Sequence, residues 1–144
     1  MARAPQTSIH HIALTVTDLD ASIAWYEKIF GISYRLEEAH AGGTGKLLAD
    51  DEWKLTIVLH RHDANQRENF KETRTGLDHI GLVVPTREDL EAWQGHLAEN
   101  GVEKVDHADR PLTQSPINDR PYGSVLVFRD PDNIQLEMFS PATH

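Results

Sequence analysis

Asp78-His79-Ile80-Gly81-Leu82-Val83-Val84 repeats His10-His11-Ile12-Ala13-Leu14-Thr15-Val16 at an offset of 68 residues (79 − 11). Each copy alternates as a strand does, with the histidine on the face of small residues and Ile-Leu-Val on the other. Each runs on into a segment of helical spacing that carries a tryptophan, Trp25 or Trp93, and stops at a glycine, Gly31 or Gly101. With 9 histidines in 144 residues, one aligned pair would mean little by itself. The matched flanks, whose offset drifts only from 68 to 70, mark an internal duplication. Two related units are therefore expected to hold two imidazoles towards one site.

Asp18 reads as the N-cap of a helix over 20–30, with Ile23, Tyr26 and Phe30 on one face and Gly31 as the stop. A strand near 32–37, a hairpin turn at Gly42-Gly43-Thr44-Gly45, and strands near 46–50 and 53–61 complete a first unit over 8–62. The polar stretch His62 to Gly76 reads as a connection. In the second unit, 77–141, Thr86 caps a helix with Asp89 three residues on and an apolar stripe Leu90, Trp93, Leu97. A strand near 102–107 precedes a long Pro-containing loop over 109–123 that could close over a pocket. Ser124–Arg129 and Asn133–Phe139 form a hairpin through Asp130-Pro131-Asp132, where Pro131 suits the first central position of a type I turn. The order is βαβββ twice, an α+β chain of one domain, 1–144. At this length it buries about 70% of its unfolded surface.

The net charge is −9, with acidic residues spread along the chain. No basic stripe or aromatic-basic interleave is present, which argues against nucleic acid and anionic membranes as partners. There is no cysteine, so thiol catalysis, disulfides and thiolate metal sites are excluded. No apolar run approaches a membrane span, and the opening Met-Ala-Arg-Ala-Pro-Gln-Thr lacks a signal peptide's apolar stretch; a cytoplasmic location is the expectation.

His11 shares its face with Ala13 and Thr15, and His79 with Gly81, so both leave room for a ligand. In Ile134-Gln135-Leu136-Glu137-Met138-Phe139, if Ile134, Leu136 and Met138 face the helices, then Gln135, Glu137 and Phe139 face the histidines. An ionised carboxylate buried there requires a cationic partner. Two imidazoles and one carboxylate from separate strands match the set that binds a divalent metal on one face and leaves other positions open. His60 is a candidate fourth ligand, and His62 has the same strand parity. Tyr122 is a candidate hydrogen-bond donor to a substrate oxygen, and Arg120 and Arg74 are candidates for an anionic group. Trp25 and Trp93 read as helix-to-sheet core, and His10 points away from His11 and is not counted as a ligand.

Across Ser8 to Pro141 the chain resembles the vicinal oxygen chelate superfamily, which includes glyoxalases, epimerases, fosfomycin-resistance enzymes, extradiol dioxygenases and bleomycin-binding proteins. The matching marks are His11-Ile12 before Thr17-Asp18-Leu19, Ala21 to Tyr26, Phe30-Gly31, Leu77-Asp78-His79-Ile80, and Phe128 to Asn133 before Leu136-Glu137. The resemblance implies an eight-stranded, incompletely closed barrel around a divalent metal (Fe, Mn, Ni, Co or Zn). It implies His11, His79 and Glu137 as ligands, a remaining ligand place near Val58 or His60, and a homodimer. Where the family often has Glu or Gln at that last place, this chain has neither. Asn133 stands where the family often has Gly, and Asn tolerates left-handed backbone.

The expected activity is metal-dependent lyase, isomerase or dioxygenase chemistry on a small substrate that chelates through adjacent oxygens, with Glu137 and Tyr122 as catalytic candidates. The known ring-cleaving members are commonly about twice this length, which weighs against the dioxygenase branch. The alternatives are a non-catalytic binding protein that sequesters an antibiotic or other toxic small molecule, and a structural or regulatory dimer with a vestigial site.

Overall fold

The computed structural model describes residues 3–142, which divide into two compact units at Gln66/Arg67. The first unit contains β1 (Ile12–Thr15), α1 (Leu19–Phe30), β2 (Ser33–His40), β3 (Gly43–Ala49) and β4 (Thr56–His62). Its sheet runs β1-β4-β3-β2, with β1 parallel to β4 and the other pairs antiparallel. The Asp18 carboxylate accepts the Ala21 N–H at 3.1 Å, and Gly31 ends the helix in the left-handed region at φ 66°. The helix is rotated slightly from the expected register: its buried stripe is Leu19, Ser22, Trp25, Tyr26 and Ile29, while Ile23 and Phe30 are half-buried. Leu14, Leu48, Ile57 and Leu59 supply the sheet's share of the core.

The expected hairpin turn at Gly42–Gly45 is shorter. Only Ala41 and Gly42 turn, and Gly43, Thr44 and Gly45 are strand residues. The glycines are there because their neighbours crowd them, as a β-carbon on Gly45 would lie 2.6 Å from the His60 ring.

The second unit contains β5 (Ile80–Val83), α2 (Arg87–Glu99), β6 (Glu103–Lys104), β7 (Thr113–Gln114), β8 (Asn118–Arg120), β9 (Gly123–Arg129) and β10 (Gln135–Pro141). Its sheet runs β5-β10-β9-β7-β6, with β8 also on β9, and β5 lies parallel to β10 as β1 does to β4. Thr86 and Asp89 form a reciprocal capping box, and Leu90 and Leu97 are fully buried. The described residues thus carry ten strands in two sheets, two short strands more than the eight expected, in keeping with the expected α+β class. The extra pair comes from the 109–123 stretch, whose Asn118, Asp119 and Arg120 ladder onto β9 while buried Gln114 donates to the carbonyls of Gln94 (3.1 Å) and Val102 (3.0 Å). Hydrogen bonds that satisfy a buried amide tie this segment down, so it is not a free lid.

The Asp130–Asn133 turn has Pro131 at its first central position, and Asn133 adopts φ 70°. Buried Asp130 accepts the N–H groups of Asp132 and Ile134, both at 2.8 Å. Arg129, 4% exposed, places all five N–H donors: on the Ala108 carbonyl, twice on Glu72, on the Asn133 carbonyl and on Gln135. The Glu72 pair is bidentate at 3.0 and 3.1 Å, so part of the polar connection belongs structurally to the second unit.

The Arg129 hydrogen bonds hold the Glu72 carboxyl down to about 2, from an ordinary 4.5. A carboxylate with a depressed folded pKa contributes stability that is complete above its unfolded pKa and is lost as pH falls towards the folded one. Glu72→Ala should cost about 3 kcal/mol at neutral pH by leaving a buried guanidinium short of its anion. Urea denaturation of parent and variant should show that difference shrinking between about pH 4.5 and pH 2. A difference that stays constant with pH would show that the ion pair is not its source.

Candidate metal centre

His79 immediately precedes β5, and the parallel register sets Gly81 opposite Glu137. Glu137 alternates with buried Leu136 and Met138, so its side chain lies on the face of the sheet away from the core, as its parity predicts. Glycine at 81 leaves that face open, and the Glu137 carboxylate is 3.5 Å from where a β-carbon would sit. His79 Nε2 stands 3.4 Å from Glu137 Oε2. The other ring nitrogen, Nδ1, lies 2.7 Å from Asp78 Oδ1. That oxygen also accepts from the Gln135 amide at 3.1 Å, and Gln135 accepts from Arg129 at 3.3 Å. The ring is therefore oriented with Nδ1 on the Asp78 carboxylate and Nε2 towards Glu137, the orientation that would present Nε2 to an ion held between the two.

The first unit builds the same half-site with different residues. His11 precedes β1, and its Nδ1 lies 2.9 Å from Nδ1 of His10, the residue matching Asp78 in the repeat. When the shared proton sits on His11, its Nε2 lone pair is free to ligate. His10 does not point away from His11 as the alternation of side chains predicts: its ring meets the His11 ring edge-on. The position matching Glu137 is Val58, which pairs with Ala13 as Glu137 pairs with Gly81. His60 lies two residues further along, at the register of Phe139, against His40 and His62. Burial pushes the His60 imidazole below the usual histidine range, and the neighbouring His40 and His62 push it the same way.

Tyr122 is 63% exposed and stacks on Phe139, with ring centroids 6.1 Å apart, two residues from Glu137 along β10. Gly123 must be glycine, because a β-carbon there would run into the Ser140 carbonyl and the Phe139 ring. Arg120 lines a cleft of about 420 Å³ with Arg87 and Ser124; neither His79 nor Glu137 lines it. Arg74 pairs with Glu68 at 3.4 Å on the surface. Sequence reasoning missed Asp78, Gln135 and His10 as groups that hold ligands in place. The signal available for them was adjacency to the repeated histidine.

The donor set fits the divalent ion that the resemblance implies. Ligand atoms bound at about 2.0–2.2 Å to one ion lie about 3 Å apart, close to the separation of His79 Nε2 from Glu137 Oε2. A histidine whose far nitrogen is held by a carboxylate is also the usual outer support of a metal-bound imidazole. His79 and Glu137 are brought together within the second unit, and His11 is a residue of the first.

A crystal structure of a glyoxylase/bleomycin resistance protein/dioxygenase domain from Frankia sp. EAN1pec is similar to this chain, with TM-score 0.81 and 31% identity, covering 96% of this chain and all of that one. The fosfomycin resistance protein FosX from Listeria monocytogenes, solved as a variant with Mn(II) and 1S,2S-dihydroxypropylphosphonic acid, shares the fold at TM-score 0.65 and 21% identity, covering 96% of this chain and 93% of that one. The catechol-2,3-dioxygenase of Bacillus subtilis strain 168 is 25% identical over 139 residues, 93% of this chain, and the chain spans 41% of that relative's length. With the family model matching residues 8–138, the chain belongs to the Glyoxalase/Bleomycin resistance protein/Dioxygenase superfamily.

Proposed function

We propose that the protein is a divalent-metal-dependent enzyme acting on a small substrate that presents two adjacent oxygens, by lyase, isomerase or dioxygenase chemistry. The observation that carries this reading is His79 Nε2 beside Glu137 Oε2, with Asp78 on the opposite nitrogen of the ring. His11, His79 and Glu137 would hold the ion, which when bound supplies a Lewis acid for negative charge developing on the substrate.

The chain's own residues do the rest. Asp78 holds His79 by its Nδ1 and so orients the ring with Nε2 towards Glu137. Glu137 offers a carboxylate that can take a proton from a substrate carbon or hydroxyl on the same face. Tyr122, held against Phe139, has a phenol free to donate a hydrogen bond to a substrate oxygen. Gly81 and Ala13 keep the face of each first strand clear of side-chain bulk beyond a methyl.

That face of the sheet carries exposed Val83, 71% accessible, beside the ligands. A second copy of the chain is the proposed cover, giving a homodimer; light scattering should return twice the 16.3 kDa chain mass, and a monomer at micromolar concentration would refute it. Among the described residues no helix is long and apolar enough to cross a membrane.

Tag-free protein purified anaerobically without chelators should lose one divalent metal equivalent on His79→Ala, with the circular dichroism spectrum unchanged. An unchanged metal content would sink the site. Iron in the parent would direct assays to catechols, whereas nickel, zinc, cobalt or manganese would direct them to lyase, isomerase and thiol-transfer substrates. Tyr122→Phe keeps the stacking and removes only the hydroxyl, so it should retain metal yet bind oxalate, a two-oxygen chelator, about tenfold more weakly. Equal oxalate affinity by calorimetry would remove Tyr122 from the site.

A further inference from the structure

Three of the chain's histidines, His40, His60 and His62, meet on the first unit, and of the three the family resemblance touches only His60. His60 and His62 are two apart on β4 and so share one face. His40 ends β2, and β3 lies between them. The register places Gly43 opposite both His40 and His62, and Gly45 opposite His60. Strands two apart in a sheet are separated by about 9.5 Å, a gap that two imidazoles close only if the middle strand offers no side chain. Both glycines meet that condition: a β-carbon on Gly43 would lie 2.9 Å from the His40 ring, and one on Gly45 2.6 Å from the His60 ring.

His40 Nε2 and His60 Nδ1 are 3.2 Å apart. The ring centroids of His40 and His62 are 5.1 Å apart, those of His60 and His62 are 5.7 Å apart and nearly parallel, and one nitrogen from each of the three lies within 4.8 Å of the others. Two nitrogens bound to a tetrahedral zinc ion at about 2.0–2.1 Å are about 3.3 Å apart. The His40–His60 pair already has that spacing, and His62, the most exposed of the three, closes the set by a side-chain rotation.

We propose that His40, His60 and His62 form a three-histidine site for a late first-row divalent ion, zinc or copper, using none of His11, His79 and Glu137 as ligands. All three donors are imidazoles with no carboxylate in the set, which favours zinc, copper or nickel over magnesium, calcium or manganese. The site uses no residue of the second unit, and it stands whether or not the reading of His79 and Glu137 holds. Three protonated imidazoles at this spacing would repel one another, so a single shared cation is the better occupant of the group. A three-donor site leaves a coordination position for water or a small anion.

The test is zinc stoichiometry on the tag-free, chelator-stripped full chain, by equilibrium dialysis and elemental analysis. His40→Gln/His62→Gln should bind one zinc ion fewer than the parent, and His79→Ala should leave that ion in place. Gly45→Ala keeps all three histidines but pushes the His60 ring aside, and should weaken the same site at least tenfold. On a His79→Ala/Glu137→Ala background, one equivalent of Cu²⁺ should give an electron paramagnetic resonance spectrum with splitting from three nitrogens. Undiminished zinc binding in the double histidine variant, loss of this ion in His79→Ala, or a copper spectrum without several nitrogen ligands would each overturn the proposal. Loss of one ion in the double histidine variant with none lost in His79→Ala would uphold it while removing the reading of the other site.

Discussion

A guanidinium buried to 4% exposure costs several kcal/mol unless every donor is matched, and Arg129 matches all five. The matching sets the second unit's geometry. Glu72 reaches in from the polar connection, Ala108 from the segment after α2, Asn133 from the hairpin turn and Gln135 from β10. Gln135, positioned by Arg129, reaches Asp78 with its amide nitrogen, and Asp78 holds His79. A line of hydrogen bonds therefore runs from a structural ion pair to the imidazole that faces Glu137. Such a network is strong only when every member is satisfied, so strain at Glu72 or Arg129 is felt as a loosened His79 ring.

The two units share one plan and differ in chemistry. A histidine precedes the first strand, its predecessor in sequence contacts its Nδ1, and the first strand pairs in parallel with the last. In the second unit the predecessor is Asp78 and the last strand carries Glu137; in the first they are His10 and Val58. The far end of β4 carries His60 and His62.

Much of this was legible from residue order. Strand parity put His79 and Glu137 on one face, Asp18 and Thr86 marked the helix starts, and Asn133 was read as a left-handed turn residue. Long-range pairing was not legible. Glu72 sits in a segment whose composition reads as a linker, and only its contact with Arg129 57 residues away makes it structural. Gly42–Gly45 was assigned to a turn because glycine runs usually mark one. Gly43 and Gly45 are strand residues whose role appears only once the register of β2, β3 and β4 is known. The same register brings His40 to His62. The short β7 and β8 escaped because two or three residues cannot show a period.

Charge separates the two donor sets. Around His79 stand two carboxylates, Glu137 and Asp78, whose charge would offset that of a dication held there. Around His60 the direct neighbours are the imidazoles of His40 and His62, and Glu38 is an anion close enough to oppose their effect on it. A dication in that group stays net positive on a chain of net charge −9, and its own field becomes the largest local feature. The carboxylate-bearing set tolerates harder ions such as manganese and iron(II), whereas the all-nitrogen set discriminates against them. Two sites of these compositions would not compete for the same metal.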